Sequence, residues 1–388
     1  MYRRASLDSL PGPASPYVVA SRITGRRAGI TAAIGLIPLG AWRFAHAYRA
    51  RAGYPRRHLP ESDPSSLGLP FTRVDVPTVE GRTLPGWWIP AEGADAPRPA
   101  VLLVHGWESA RDRTLPNALI LRRIGMHVLT IDVRGHGENP GEVLPLTAGE
   151  FGADSLAGVR WLLDRPDVSA VGVLGHSMGA IGALLAAAAE PRVRAVVAIA
   201  SPADPYRLTR QTFHLASLPI PNVIAYPLAW LTTQVFLQPR GHRVSAVSAA
   251  RAIAQYRGPV LLINGSDDRV VPPGHQDRLV AIARRARGDD PAALPIEALT
   301  IPGGHHSWLF EFPSYRRAIG LFLTRWLDGP FTPEAAAALA ADVPATRMPE
   351  REDRGFSALE GEPGGVRTLV RAIASPDPEP VATGRITE

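Results

Sequence analysis

The sequence predicts an α/β fold in which a mostly parallel central sheet is flanked by helices. Three observations predict it. Short apolar runs typical of buried strands alternate with helix-length segments over most of the 388 residues. Ser177 stands in a glycine-flanked turn directly after one of these strands. An aspartate pair and a histidine pair follow later strands, at the sheet edge where parallel α/β folds build their sites.

The predicted elements follow one another in a regular order. Phe71–Val76 and Leu84–Ile89 are two opening strands, and the turn between them at Glu80-Gly81 predicts antiparallel pairing at the edge of the sheet. The later elements alternate, as a parallel sheet with crossover helices requires. Strands are predicted at 100–104, 127–131, 171–175, 193–199, 260–263 and 296–301, and helices near 113–124, 151–163, 178–189, 274–287 and 314–327.

The turn at 175–179, with the sequence Gly-His-Ser-Met-Gly, lies between a predicted strand and an alanine-rich helix. A serine at the apex of such a tight turn has a strained backbone, and its hydroxyl is exposed. Gly175 and Gly179 flank Ser177 because a Cβ at either position would collide with the neighbouring strand or helix. The pattern predicts a nucleophile at Ser177, and a purely structural glycine-rich turn is the alternative.

A serine hydroxyl needs an imidazole base, which is itself oriented by a carboxylate. The strand at 260–263 is followed by Asp267 and Asp268, and the strand at 296–301 by His305 and His306. Either aspartate could be the acid, and if Asp267 is the acid, Asp268 could cap the next helix. The two histidine side chains diverge, so only one of them can face Ser177. The residues alone leave both choices open.

The chain resembles an α/β-hydrolase over roughly Leu67 to Leu327. Four segments carry the resemblance beside the serine turn: the strand and His-Gly loop at 102–107, the D-x-R-G-x-G loop at 132–137, the G-x-x-D-x-x-V-P segment at 265–272 and the P-G-x-x-H-S loop at 302–307. It implies the α/β-hydrolase fold and a serine hydrolase that cleaves an ester, thioester or amide through an acyl-enzyme.

The resemblance also assigns the residues of the site. It places the acid at Asp268, the base at His306 and the nucleophile at Ser177. Two backbone N–H groups are expected to receive the oxyanion, from Met178 after the nucleophile and from Trp107 in the His-Gly loop. The indole of Trp107 is a candidate substrate contact or a packing group. The neighbouring residues His105, Arg134 and His136 are expected to pack or to fix their own loops.

Residues 203–257 are too long for a simple crossover and are predicted to form a small helical cap over the serine. Phe213 and Trp230 in this cap are candidate substrate contacts. The cap contains only one acidic residue, Asp204, which argues against binding the ammonium group of a peptide N-terminus. Glu108 beside the oxyanion loop keeps a serine aminopeptidase as the alternative. A non-catalytic membrane-anchored binding protein on the same scaffold is a third hypothesis.

The N-terminal end carries most of the positive charge. Residues 1–60 hold ten arginines and one acidic residue, and the stretch at 28–42 is uncharged. We expect a basic, flexible segment at 1–27, a membrane-anchoring helix at 28–48 and a linker at 49–66. An export signal or a soluble arm are the alternatives for 28–48, which would make the protein exported or cytoplasmic. The hydrolase domain is expected at 67–330 and a disordered tail at 331–388, with one short helix near 333–341.

The remaining 328 residues carry a net charge of −3, so nothing predicts binding to nucleic acid. The chain has no cysteine, which excludes disulfides, thiol catalysis and cysteine-ligated zinc. No histidine spacing typical of a metal site and no glycine-rich cofactor loop is present in the sequence, so we expect neither a metal nor a cofactor. The expected partners are a small-molecule acyl substrate and, through residues 28–48, a lipid membrane.

Overall fold

The computed structural model describes residues 39–40, 42–43, 55–93, 95–140, 146–205, 207, 209, 221–236, 244–288 and 294–345. The chain divides into two units, Met1–Ala47 and Tyr48–Glu388. In the first unit, the described residues Leu39, Gly40, Trp42 and Arg43 are helical and exposed. The fold and the candidate site belong to the second unit.

The second unit is built on an eight-stranded sheet with the strand order β1-β2-β4-β3-β5-β6-β7-β8. β1 pairs antiparallel with β2, and β2 antiparallel with β4, whereas all later pairs are parallel. The predicted opening hairpin and parallel sheet are therefore confirmed. The strands are β1 Thr72–Pro77, β2 Thr83–Ile89, β3 Arg98–Val104, β4 His127–Ile131, β5 Val168–His176, β6 Val193–Ile199, β7 Val260–Gly265 and β8 Ile296–Ile301.

Helices pack on both faces of the sheet. One core cluster joins the sheet to α2, α3, α5 and α6, and a second joins its other face to α1, α7 and α8. Every residue of β7 is buried, as expected for a strand covered on both sides. The helices are α1 Leu115–Arg123, α2 Ala148–Leu163, α3 Met178–Ala189, α4 Asn222–Phe236, α5 Ala249–Gln255, α6 Gly274–Arg287, α7 Pro313–Leu327 and α8 Pro333–Ala341.

The strand directions bring the candidate loops to one edge. β3, β5, β6, β7 and β8 are parallel, so their carboxyl ends lie side by side. Trp107 follows β3, Ser177 follows β5, Asp268 follows β7 and His306 follows β8. Residues separated by up to two hundred positions in the sequence therefore meet at the crevice where α/β folds bind ligands.

The segment predicted as a cap has two different parts. α4 lies within residues 203–257, in the part that the crossover does not need. α5 belongs to the main domain, because Ala249, Ala252 and Ile253 are buried in the core cluster with α3. The end of the predicted insertion is thus the ordinary crossover helix between β6 and β7. Its seven residues are too few for a clear helical period in the sequence.

The helix predicted near 333–341 forms as α8 and packs against α7. A Cβ on Gly320 of α7 would lie 2.7 Å from the carbonyl oxygen of Ala336, so the two helices approach closely. Ala336, Ala337 and Ala340 are buried in the core. The boundary expected at residue 330 therefore leaves out a packed helix, because a run of alanines gives no apolar period. The predicted tail beyond residue 345 lies outside the described residues.

The predicted membrane helix at 28–48 lies almost entirely outside the described residues. Among the residues that the structure describes, no helix combines the length and the apolar character needed to cross a bilayer. The anchor therefore stays a prediction.

Candidate active site

Ser177 occupies the strained turn between β5 and α3. Its backbone angles are φ 55° and ψ −117°, a conformation that L-residues rarely adopt. Its N–H donates to the carbonyl oxygen of Ile199 at 2.8 Å, which fixes the turn to β6. A Cβ on Gly175 would overlap the backbone of Gly179, and one on Gly179 would overlap the carbonyl oxygen of Val104. Both glycines are required by close backbone approach, as the sequence argument proposed.

Asp268 lies 3% exposed at the end of β7 and accepts three hydrogen bonds. Its Oδ1 accepts from the N–H groups of Val270 and Val271 at 2.9 and 2.7 Å. Its Oδ2 accepts from Nδ1 of His306 at 2.9 Å. A neutral histidine that donates from Nδ1 keeps Nε2 as an acceptor, which is the tautomer a general base needs.

The structure separates the members of each doublet. Asp267 and His305 are exposed, whereas Asp268 and His306 are buried and joined by a hydrogen bond. The carboxylate of Asp267 accepts instead from Ser266 Oγ at 2.7 Å. Asp268 does not cap the following helix either, because the residue at the cap position of α6 is Pro273.

The acid loop and the histidine loop are in backbone contact. A Cβ on Gly265 would overlap the carbonyl group of Gly304. The N–H of Asp267 donates to that same carbonyl oxygen at 2.9 Å, and the N–H of Gly303 donates to Ser266 Oγ at 2.9 Å. These contacts explain why glycines are found in both loops, and they hold His306 at a fixed distance from Asp268.

His176 connects the serine turn to the histidine loop, a contact that the sequence reasoning did not identify. Its Nε2 is 2.8 Å from the carbonyl oxygen of His306, so the ring nitrogen donates the proton. The two imidazole rings lie 4.9 Å apart between centroids. Desolvation of the His176 ring, together with the neighbouring His306, lowers the pKa of His176 to about 4. The only signal in the sequence was a histidine directly before Ser177.

A second missed residue is Asn264, whose side chain fixes the acid loop. It is 2% exposed within β7, and its Nδ2 donates to the carbonyl oxygen of Val271 at 3.1 Å. Both ends of the turn that contains Asp268 are thereby tied to the strand. A polar residue inside an otherwise apolar strand was the available signal.

The loop after β3 lies against the serine turn. A Cβ on Gly106 would lie 3.4 Å from the Cβ of Ser177. Trp107 is the next residue after Gly106 in the chain. Met178 is the first residue of α3, where backbone N–H groups have no partner within the helix. The structure therefore brings the segments of both expected oxyanion donors next to Ser177.

The residues expected to contact the substrate do not form one group. The half-buried indole of Trp107 packs beside His136 and Phe151, with ring centroids 5.3 and 6.2 Å away. These contacts correspond to the packing role that the sequence offered for Trp107 as the alternative to substrate contact. Trp230 lies on α4 and is 58% exposed. Phe213 lies outside the described residues.

The loop after β4 has the anchoring role expected for it. The carboxylate of Asp132 accepts from the backbone N–H and the guanidinium of Arg111. Arg134 forms an ion pair with the buried Asp154, with an N–O distance of 2.6 Å. His105 and His136 pack on each other, and burial lowers the pKa of His105 to about 4 and that of His136 to about 3.

In the described part of the chain, no group of three or more acidic or histidine side chains is placed to hold a metal ion. A surface cavity of about 340 Å³ lies between the turn after β1 and α2. Its lining includes Val79, Leu156 and Trp161, and it contains none of the candidate catalytic residues.

The chain is similar to known proteins over the same region. The sequence model described as the alpha/beta hydrolase family matches residues 101–318, which is more than half of the chain. An uncharacterized protein of Mycobacterium tuberculosis is 30% identical over 281 residues, which cover 72% of this chain and 87% of that protein. Protein ABHD12B of Homo sapiens is 26% identical over 263 residues, covering 64% and 68% of the two chains.

A solved structure shows the same arrangement of elements. An esterase of Pyrococcus furiosus matches with a TM-score of 0.54 and 25% sequence identity. The match covers 70% of this chain and 99% of the esterase chain.

Proposed function

The chain belongs to the alpha/beta hydrolase family, and on that premise we propose that it is a serine hydrolase that cleaves an ester, thioester or amide bond. The observation that carries the proposal is the buried hydrogen bond between Asp268 and His306. It lies at the sheet edge next to Ser177, whose strained turn is linked to the backbone of His306 through His176. A nucleophile, a base and an orienting acid are thus available in one place.

In the first half-reaction, Ser177 Oγ attacks the carbonyl carbon of the substrate while Nε2 of His306 takes the hydroxyl proton. Asp268 holds Nδ1–H of His306, which fixes the tautomer and stabilises the imidazolium that forms. Negative charge develops on the former carbonyl oxygen. The N–H groups of Trp107 and Met178 receive that charge, and the N-terminus of α3 adds a favourable dipole.

The intermediate then collapses, and the bond to the leaving group breaks as His306 returns the proton to it. The acyl group stays on Ser177 Oγ. In the second half-reaction, His306 takes a proton from water, whose oxygen attacks the acyl carbon, and the proton then passes to Ser177 Oγ as the acid leaves. All proton transfers run through His306, so no further cofactor is required by this route.

An acyl ester of a small molecule is the substrate class that we propose. The likeness to the Pyrococcus furiosus esterase supports it. Asp204, the only acidic residue in 203–257, has its carboxylate oxygen 2.9 Å from Arg278 and 3.5 Å from Arg207. This pairing leaves it a poor ligand for a substrate ammonium. Substrate contacts by Phe213 and Trp230 stay predictions.

An aminopeptidase is the second candidate, and Glu108 is the observation that favours it. Glu108 lies in the loop after β3 and has a positive φ of 51°. Its Oε1 accepts from the backbone N–H of Arg56 at 3.0 Å, so the carboxylate is held beside the expected oxyanion loop. A substrate ammonium could pair with a carboxylate at this position.

Labelling of the full-length protein with a fluorophosphonate probe tests the proposal. We expect labelling of the native chain and none of Ser177→Ala, while Ser169→Ala labels normally. Ser169 is the matched control, because it is exposed and lies near the start of the strand that leads to Ser177. Equal labelling of native protein and Ser177→Ala would refute the assignment of the nucleophile. An unlabelled, folded native protein would favour the non-catalytic binding protein.

Hydrolysis rates then separate the two substrate classes. We expect the native chain to hydrolyse short p-nitrophenyl esters faster than aminoacyl-coumarins. Faster hydrolysis of aminoacyl-coumarins would favour the aminopeptidase instead. In that case Glu108→Gln should lose the coumarin hydrolysis while it remains folded.

For localisation, we propose that residues 28–48 anchor the protein in a membrane. The support is the uncharged sequence at 28–42 with arginines on both sides. Alkaline carbonate extraction should leave the full chain in the membrane pellet and release a chain that begins at residue 49. Release of both chains alike would contradict the anchor.

A further inference from the structure

The outward face of α4 is apolar and exposed. The helix spans 15 residues and contains no charged side chain. Ala229 and Thr233 are buried on one side of it, and Thr233 Oγ1 donates to the carbonyl oxygen of Ala229 at 2.7 Å. Much of the remaining surface of the helix is presented to solvent. The outward face consists of Val223, Ile224, Tyr226 and Trp230, which are 79, 55, 45 and 58% exposed.

This exposure is concentrated rather than scattered. Among the described residues, ten large hydrophobic side chains are exposed, and four of them lie in the eight positions from 223 to 230. Single exposed apolar residues are normal on a protein surface, whereas a contiguous group marks a binding surface. Tyrosine and tryptophan are the side chains enriched where an apolar phase meets water. The composition therefore fits the surface of a lipid bilayer.

The charge of the surrounding sequence also favours a lipid surface. Residues 203–257 contain six arginines and one acidic residue, and residues 211–239 contain no charged residue at all. The single acid, Asp204, is paired with Arg207 and Arg278. The segment therefore has an uncharged middle flanked by positive charge, which complements the negative headgroups of anionic lipids.

We propose that α4 docks on the surface of an anionic lipid bilayer through Val223, Ile224, Tyr226 and Trp230. The helix is about 22 Å long at 1.5 Å per residue, too short to span the hydrocarbon layer, so it lies along the interface. Pro227 is exposed on the same face and leaves one backbone carbonyl without its helical partner. Water and headgroups at the interface satisfy that carbonyl. This inference does not depend on the proposed hydrolysis.

The chain has no native cysteine, so one introduced cysteine can be labelled cleanly in the full-length protein. Trp230→Cys carries an environment-sensitive nitrobenzoxadiazole label on the proposed surface. Ala338→Cys, an exposed position on α8, is the matched control. Both proteins are titrated with vesicles of phosphatidylcholine alone and of phosphatidylcholine with phosphatidylglycerol. A local label separates docking of α4 from attachment by the N-terminal segment, because attachment elsewhere leaves the surroundings of residue 230 aqueous.

We expect anionic vesicles to raise the emission of the label at 230 by about twofold or more and to shift it to shorter wavelength. Lipids with a quencher in the acyl chain should reduce that emission, and the label at 338 should respond to neither. Adding Val223→Ser and Ile224→Ser to Trp230→Cys should reduce the response, with the thermal unfolding midpoint and the circular dichroism unchanged.

Three results would overturn the proposal. One is a label at 230 that stays unchanged at excess anionic lipid. Another is an equal response to vesicles of phosphatidylcholine alone, which would show that docking does not require negatively charged headgroups. The third is a response without lipid that grows with protein concentration, which would assign this face to contact with a second copy of the chain.

Discussion

Two buried aspartates each follow a strand of the same sheet, and their side-chain partners differ. Asp132 follows β4 and Asp268 follows β7, and they are 0 and 3% exposed. Both accept backbone N–H groups from their own loops. The side-chain partner of Asp132 is the guanidinium of Arg111, whereas that of Asp268 is the imidazole of His306.

The role of a buried carboxylate in this protein depends on its side-chain partner more than on its place in the fold. Arginine stays protonated at all ordinary pH values, so its ion pair with Asp132 is a fixed connection between two loops. An imidazole can accept a proton at one nitrogen and return it, so Asp268 orients a group suited to proton transfer. The histidines near Asp132 are excluded from this role, because burial lowers the pKa values of His105 and His136.

The largest effect is expected from removing the imidazole. His306→Ala should lower kcat for ester hydrolysis at least about ten-thousand-fold, because the serine loses its base. His305→Ala is the adjacent control and should stay within about threefold, since this side chain is exposed and the hydrogen bond to Asp268 comes from His306. Steady-state kinetics on purified variants would measure both. Equal losses in the two variants would remove His306 from its proposed role.

Breaking the orienting hydrogen bond should have the next largest effect. Asp268→Asn should lower kcat by roughly a thousand- to ten-thousand-fold, because an amide stabilises neither the tautomer nor the imidazolium. Asp267→Asn tests the other member of the doublet and should keep most of the activity. If Asp267→Asn were the more damaging change, the acid would have to be reassigned.

For Asp132, losing the side-chain partner is expected to lower the stability of the fold. Arg111→Met leaves the carboxylate of Asp132 buried without its cation and should reduce the free energy of unfolding by about 3–5 kcal/mol. Arg192→Met breaks an ion pair with Glu190 in which the arginine is exposed, and should change stability little. Urea unfolding measures both. A loss of stability as small for Arg111→Met as for Arg192→Met would contradict the anchoring role.

A dependence of stability on pH is expected as well, and it is small only close to neutral pH. Burial lowers the pKa values of His105 and His136 in the folded protein to about 4 and about 3, from the ordinary value of 6.5. Above pH 6.5 both states are neutral at these sites. As the pH falls below 6.5 the unfolded chain gains protons that the folded protein does not, so stability decreases by up to about 1.4 kcal/mol per pH unit for each histidine. This loss continues until the pH reaches the folded-state pKa values.

Urea midpoints at pH 7, 6 and 5 would show this dependence. His136→Gln should make it shallower, because one of the groups that cause it no longer titrates. An unchanged slope in that variant would mean that His136 is not buried in its neutral form.

The fold was predictable because strong local patterns repeat along the chain. β4, β6, β8, α3 and α6 begin and end where the sequence predicted. α5 and α8 were assigned to the cap and the tail, because their short or alanine-rich sequences have no apolar period and their partners are distant in sequence. Asn264 and His176 were missed as positioning residues because their hydrogen bonds join separate loops.

The order of the elements, the serine turn and the candidate acid and base loops could be predicted without the structure, since they depend on local apolar runs and on the glycines beside Ser177. The family resemblance placed the acid at Asp268 and the base at His306, and only the tertiary structure gives a physical reason for preferring them, which is their burial and pairing. Neighbours in a loop have the same local sequence signal but point in different directions. Which of them meets a partner depends on how β7 and β8 lie beside each other in the sheet.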